Sequence, residues 1–257
     1  QTPNPKPLFT PPSSLRSKLI NFLVEMKRDV LVFGGSGALG SAVCRALGRS
    51  HRVISIDSSP SPFADSNLDF QSLSSDSTHL IPGLKAILGS SGVEAIVSAG
   101  GAAEACRLGE PEAVASLRRM NAANLSPALA AAHAAAKLLS PGGKIFFTGS
   151  LEAFEGPCPL WVTHALAKNS VHSLALQLAK DADFQSKDLR SICLLPALLD
   201  TPENRALLEI IGKKELLPPE LVAEMLSNWL GGAACPVNGA LVKLGFANGF
   251  LQVSSPE

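Results

Sequence analysis

Val30-Leu31-Val32-Phe33 runs straight into Gly34-Gly35-Ser36-Gly37-Ala38-Leu39-Gly40, and this junction constrains the fold more than any other part of the chain. A short apolar run that ends in glycines and resumes with Val43 and Leu47 four residues apart reads as strand, tight turn, helix. Gly34, Gly37 and Gly40 fall at the spacing G-x-x-G-x-x-G. One glycine permits the turn, another lets backbone approach a phosphate, and a third lets the helix pack on the strand. The pyrophosphate of a dinucleotide then sits at the helix N-terminus, where free N–H groups and the dipole favour an anion. Asp57 closes the next apolar run, 23 residues beyond Gly34. A carboxylate there accepts hydrogen bonds from the adenosine ribose and repels a 2′-phosphate. No Arg or Lys follows Asp57 closely, so NADH is expected, with NADPH the other candidate.

The remaining chain repeats the alternation. Strands are expected at Asp29–Phe33, Arg52–Ile56, Asn67–Phe70, Glu94–Ser98, Lys144–Thr148, Ser191–Leu195 and Ala240–Leu244. Helices are expected at Ser41–Leu47, Leu84–Leu88, Pro111–Leu139 (one or two), Thr163–Lys180, Glu203–Ile211 and Pro219–Leu230. Short apolar strands separated by helices imply a parallel sheet covered on both faces. The expected fold is therefore α/β: a Rossmann-type doubly wound sheet of about seven strands in one domain, residues 29–257, with ligand at the carboxyl ends of the strands. At one such end Ala99, Gly100 and Gly101 would lie against the ribose and nicotinamide. Residues 1–28 read as a flexible arm, since Gln1–Ser14 carries five prolines and little that packs.

Composition narrows the function. Lys+Arg and Asp+Glu both number 22, and this neutral balance argues against nucleic acid or an anionic membrane as partner. No apolar run reaches the ~18 residues of a membrane-spanning helix, and Gln1–Ser14 lacks a secretory-signal pattern, so the expected location is cytoplasmic. Five scattered cysteines without a CxxC pair suggest neither a disulfide framework nor a metal site. The chain contains no tyrosine.

These segments, together with Ala165-Leu-Ala-Lys-Asn-Ser-Val-His172 and Leu195-Pro-Ala-Leu-Leu-Asp-Thr-Pro-Glu-Asn-Arg205, resemble the short-chain dehydrogenase/reductases, and within them the dihydropteridine reductase branch. The resemblance spans roughly residues 29–244. The placement of Gly37 followed by Ala38 is the variant of that branch, and most of the superfamily has its middle glycine one residue later. The resemblance implies hydride transfer from the nicotinamide to a quinonoid dihydropterin, giving the tetrahydropterin. It also implies a homodimer formed through residues 121–139 and 163–180, and cofactor contacts that include Lys168 and Pro196.

In that superfamily a Tyr-x-x-x-Lys pair does the proton chemistry, the lysine holding the nicotinamide ribose. Here Lys168 is present, but His164 stands at the tyrosine's position. Spacing i, i+4 keeps the two on one helix face. Histidine, with a free pKa near ~6.5, can supply a proton at neutral pH, while repulsion from Lys168 would lower that pKa and weaken it. Two readings stay open: a reductase with His164 as substitute acid, or a dinucleotide-binding protein with weak or no activity. Ser150 matches the superfamily serine that hydrogen-bonds the reacting oxygen, a position where the branch usually has alanine. Asn121 matches the asparagine that supports a water-linked proton path to the lysine. The branch has aromatic character after the second glycine pair, whereas this chain reads Gly101-Ala-Ala-Glu-Ala105, so either Phe154 or Trp161 supplies the flat surface for a pterin, or both are packing residues and the substrate is a different one. His51, His79, His133 and His172 read as surface or packing residues, and residues 203–214 as a segment over the substrate.

Overall fold

Apolar side chains point alternately to the two faces of each inner strand, and this builds three layers. The computed structural model of the chain describes residues 27–70, 79–89, 92–206 and 215–255. Strands β1 (Asp29–Phe33), β2 (Arg52–Asp57), β3 (Ser66–Asp69), β4 (Val93–Ser98), β5 (Leu139–Thr148), β6 (Arg190–Pro196), β7 (Leu241–Ala247) and β8 (Phe250–Ser254) form one sheet. Their order is β3-β2-β1-β4-β5-β6-β7-β8, with every pairing parallel except β7 with β8. The winding reverses between β1 and β4, where a doubly wound sheet opens its ligand crevice.

The described helices are α1 (Ala38–Leu47), α2 (Leu80–Leu88), α3 (Ala113–Met120), α4 (Ser126–Leu138), α5 (Leu151–Glu155), α6 (Val162–Ala179), α7 (Ala182–Ser186), α8 (Pro202–Arg205) and α9 (Pro219–Leu230). On one face Leu31, Phe33, Ile54, Ile96 and Phe147 pack against α2, α4 and α6. On the other, Val30, Val32, Val53, Val97 and Phe146 pack against α1 and α9. None of the described helices is long and apolar enough to cross a membrane.

The differences from expectation are local. The sheet has eight strands rather than about seven, because Phe250–Ser254 folds back on β7. The expected helix Glu203–Ile211 is described as α8 alone, and residues 207–214 lie outside the described residues. The arm expected at residues 1–28 lies outside them too, except that Lys27 and Arg28 are fastened. Lys27 Nζ donates to the Gly48 carbonyl at 2.8 Å, and Arg28 pairs with Glu94 at 3.0 Å. The stretch 111–139 is α3, then a π-helical turn at Asn121–Leu125, then α4. Pro127 has no N–H to give to the carbonyl four residues back, and the Ser126 N–H bonds to the Asn121 carbonyl instead.

Candidate active site

The cleft follows the carboxyl ends of β1, β2, β4, β5 and β6 and encloses about 980 Å³, the upper end of the small-ligand range. One end of it is built on glycine. Gly34 has φ +84°, and a Cβ on it would lie 2.4 Å from the Gly100 backbone, so the turns after β1 and β4 meet in bare contact. A Cβ on Gly40 would lie 1.9 Å from the Gly34 carbonyl oxygen, which is how closely α1 approaches the turn. Gly37 starts α1 with no side chain capping its first N–H groups, so these donors face the cleft. Ser36 donates to Asp57 Oδ2 from its backbone N (2.9 Å) and its Oγ (2.7 Å), and the Ser58 N–H donates to Oδ1 at 2.7 Å. Burial pushes the Asp57 carboxyl up, but these hydrogen bonds outweigh it and hold the group below the usual carboxylate range. Asp57 thereby ties the glycine loop to β2.

The other end is carried by α6, a helix of 18 residues that sets His164, Lys168 and His172 one turn apart. Lys168 is buried, and its Nζ donates to the Thr148 carbonyl at 2.9 Å. Burial pulls its pKa down to about 8, because a lone ammonium loses water there. His164 lines the cleft, and burial followed by repulsion from Lys168 and His172 pulls its pKa down to about 4. His172 is buried behind them, and its Nε2 accepts the Ser150 N–H at 3.1 Å. Burial and Lys168 bring its pKa to about 4 as well. Helix α6 thus grips the end of β5 twice, donating to residue 148 and accepting from residue 150. Gly149 between them is pressed on the imidazole, since a Cβ there would lie 2.4 Å from Nε2.

Of the sequence-derived positions, Gly34, Ser36, Gly37, Ala38, Leu39, Asp57, Ala99, Gly100, Gly101, Ser150, His164, Lys168 and Pro196 line this one cleft. Gly35 and Gly40 sit behind it, Gly35 against Ser55 and Cys44, shaping the turn. Asn121 does not line it, and Asn124 does. In the π turn, Asn124 Nδ2 donates to the Ala102 and Met120 carbonyls at 3.0 and 2.9 Å, which turns the residue inward. Its Oδ1 is buried without a partner, and a Cβ on Gly101 would lie 2.7 Å from it and 3.0 Å from Lys168 Nζ. Asn124 and His172 are the residues that sequence reasoning missed. The usable signals were Pro127 just after Asn124, and a histidine one turn beyond Lys168. Neither aromatic expected against a pterin lines the cleft. Phe154 packs edge-on against His172, with ring centroids 6.2 Å apart, and Trp161 bridges to Cys106. Both are drawn into holding α6 and its preceding loop. Among the described residues no three His, Cys, Asp or Glu converge as metal ligands.

A glycine loop after the first strand and a lysine on the helix before β6 define a short-chain dehydrogenase/reductase architecture, and solved structures share it. One of Serratia marcescens has TM-score 0.69 at 20% identity, covering 84% of this chain and 95% of that one. A dehydrogenase/reductase from Sinorhizobium meliloti has TM-score 0.68 at 20% identity, covering 87% and 97%. No protein-family model matches the chain. Dihydropteridine reductase of Dictyostelium discoideum is 31% identical over 221 residues, which is 85% of this chain and 94% of that protein. The chain belongs to the dihydropteridine reductase family. Membership implies a nicotinamide dinucleotide, and the residues fit one: uncapped N–H groups, backbone bared at Gly34 and Gly100, and Asp57 at the end of β2.

Proposed function

We propose that this protein is an NADH-dependent reductase acting on a quinonoid dihydropterin and regenerating the tetrahydropterin. The observation that carries the reading is the convergence of the glycine loop, buried Lys168 and His164 on one cleft. When bound, the reduced dinucleotide supplies the hydride. The α1 N–H groups and the glycine loop hold the pyrophosphate, Asp57 takes the adenosine ribose hydroxyls, and Lys168 takes the nicotinamide ribose. Asp57, already fixed by Ser36 and Ser58, disfavours a 2′-phosphate and supports NADH over NADPH. Asn124 Oδ1, buried beside Lys168, fits the end of a water-linked proton path in place of Asn121.

His164 works here as a neutral imidazole. With a pKa of about 4, roughly one molecule in a thousand carries the imidazolium at pH 7. The residue therefore steers substrate by hydrogen bonding, and the proton that balances the hydride comes from solvent. The same neutrality favours a second reading, a dinucleotide-binding protein with weak or no turnover. The two are separated by following NADH oxidation with quinonoid dihydropterin in wild type, His164→Tyr and Lys168→Ala. Turnover by wild type that falls at least tenfold in Lys168→Ala supports the reductase. An inert wild type beside an active His164→Tyr supports the second reading, and inertness of both with NADH still bound removes the pterin assignment.

The second half of the proposal is a homodimer. The alanines Ala128, Ala131, Ala132, Ala134 and Ala135 pack inward on the subunit's own core. Leu129 on α4 and Leu166 and Leu176 on α6 are exposed. They fit a self-complementary interface made by these two helices from each copy.

A further inference from the structure

Four residues past β5, the cleft wall carries Glu152, and its surroundings bear on what the site accepts. His172 fixes the backbone N–H of Ser150, so the serine is held in place. Ser150 Oγ accepts the Ala153 N–H at 3.3 Å and donates to Glu152 Oε2 at 3.3 Å. A serine has one O–H, and this one is spent on the carboxylate. Both N–H groups of Asn124 are likewise spent on carbonyls, leaving its buried Oδ1 as an acceptor without a partner. The Lys168 ammonium is turned to the Thr148 carbonyl, and the Arg119 guanidinium at the rim is paired with Glu104. His164, neutral, brings one N–H and one bare ring nitrogen. Away from Lys168, whose remaining N–H groups are assigned to the nicotinamide ribose, this wall therefore offers mainly acceptors, a carboxylate among them. A substrate carbonyl or carboxylate would meet lone pairs there. A planar edge with two parallel N–H groups would meet the geometry in which a carboxylate binds a guanidinium.

We infer that Glu152, braced by Ser150 and His172, is the specificity residue of the cleft and reads an amidine-type N–H edge of the substrate, such as the 2-amino-4-oxopyrimidine edge of a pterin. The inference rests on the reductase reading for its location and names what that reading leaves open, the group that distinguishes the substrate. It also gives Ser150 a different part from the expected one: the serine holds Glu152 rather than the reacting oxygen.

The test is binding to the full chain with NADH present, followed by ligand fluorescence or calorimetry. Four probes are used: pterin; lumazine, in which a carbonyl replaces the 2-amino group; benzamidine, which carries the edge without the pteridine; and benzoate. Wild type is expected to prefer pterin to lumazine by roughly tenfold to a hundredfold, the range of a charge-assisted hydrogen-bonded pair. It is also expected to bind benzamidine and not benzoate. Glu152→Gln should bring the pterin-to-lumazine ratio to about one while NADH affinity stays the same. His172→Leu should lower the ratio and His172→Gln, which keeps an acceptor, should restore most of it, a rescue that mere packing at residue 172 would not produce. A preference unchanged in Glu152→Gln overturns the inference even if quinonoid dihydropterin is turned over. Benzamidine binding lost in Glu152→Gln, in a protein that fails to turn over the dihydropterin, upholds the inference and overturns the pterin reading alone. Failure of wild type to bind pterin and benzamidine alike overturns both.

Discussion

At the scale of single residues, α6 stores a pH dependence. His164 and His172 each have a pKa of about 4 in the folded chain against the ordinary value of about 6.5. Between those values the unfolded chain binds protons that the folded chain refuses, so stability is full above pH 6.5 and falls as the pH drops through 4. Urea midpoints at pH 7.5, 5.5 and 4.5 should decline in that order, and a double variant His164→Tyr, His172→Gln should flatten the decline. A slope identical to wild type would show that acid sensitivity arises elsewhere. Gly40 permits a separate expectation. A methyl group there would collide with the Gly34 carbonyl, which is backbone and cannot swing aside. Gly40→Ala should cost about 1–3 kcal/mol by overpacking and weaken NADH binding together with stability. A variant with wild-type urea midpoint and NADH affinity would mean that the turn and α1 separate more readily than their contact suggests.

At the scale of elements, β1 and β2 are stitched at their start by Asp29, which is 1% exposed and held by Arg52 through both guanidinium arms. Removing the arginine strands a buried carboxylate, so Arg52→Ala should lose about 3–5 kcal/mol, whereas replacing both partners with apolar residues should lose much less. Chemical denaturation of the single and double variants measures the difference. The strands that carry the site were legible because Val30–Phe33, Val53–Ile56 (Ser55 apart) and Ala95–Val97 are apolar on both faces, as only a strand buried between helix layers must be. Hairpin β7–β8 was passed over although Asn248-Gly249, with φ of 54° and 79°, is a dipeptide that favours such turns. Its strand β8 is largely exposed and so lacks the apolar run that marked the others. Asn124 was missed for another reason: the resemblance points to Asn121, and it is the hydrogen bonds of Asn124 within the π turn that bring this residue to the cleft instead. Exposed Leu129 and Leu166 give the dimer its test at this scale. Leu129→Glu with Leu166→Glu should sediment as a monomer at micromolar concentration while wild type sediments as a dimer, and a monomeric wild type would remove the proposed interface.

At the scale of the whole molecule, the cleft draws on both halves of the sheet. The turns after β1 and β4 and the end of β2 line one side, and α6 with the ends of β5 and β6 lines the other. A dinucleotide that contacts both sides binds only the folded chain, so it must raise the stability of the whole cooperative unit and not just of the loop it touches. At a concentration one hundred times its Kd the gain is about 2.7 kcal/mol, and for a chain of this size each kcal/mol moves Tm by roughly 2–4 °C. NADH at saturation should therefore raise Tm by about 5–10 °C. NADPH should raise it less at equal concentration, since its 2′-phosphate meets a carboxylate that Ser36 and Ser58 keep ionised and in place. Asp57→Ser should remove most of that difference, and it should also loosen the glycine loop, which loses both bonds from Ser36. The variant is thus expected to show smaller shifts with NADH and shifts that are nearly equal for the two cofactors. Differential scanning fluorimetry reads all four combinations. Equal shifts for NADH and NADPH in wild type would mean that Asp57 serves the loop alone and that cofactor choice is made by other residues.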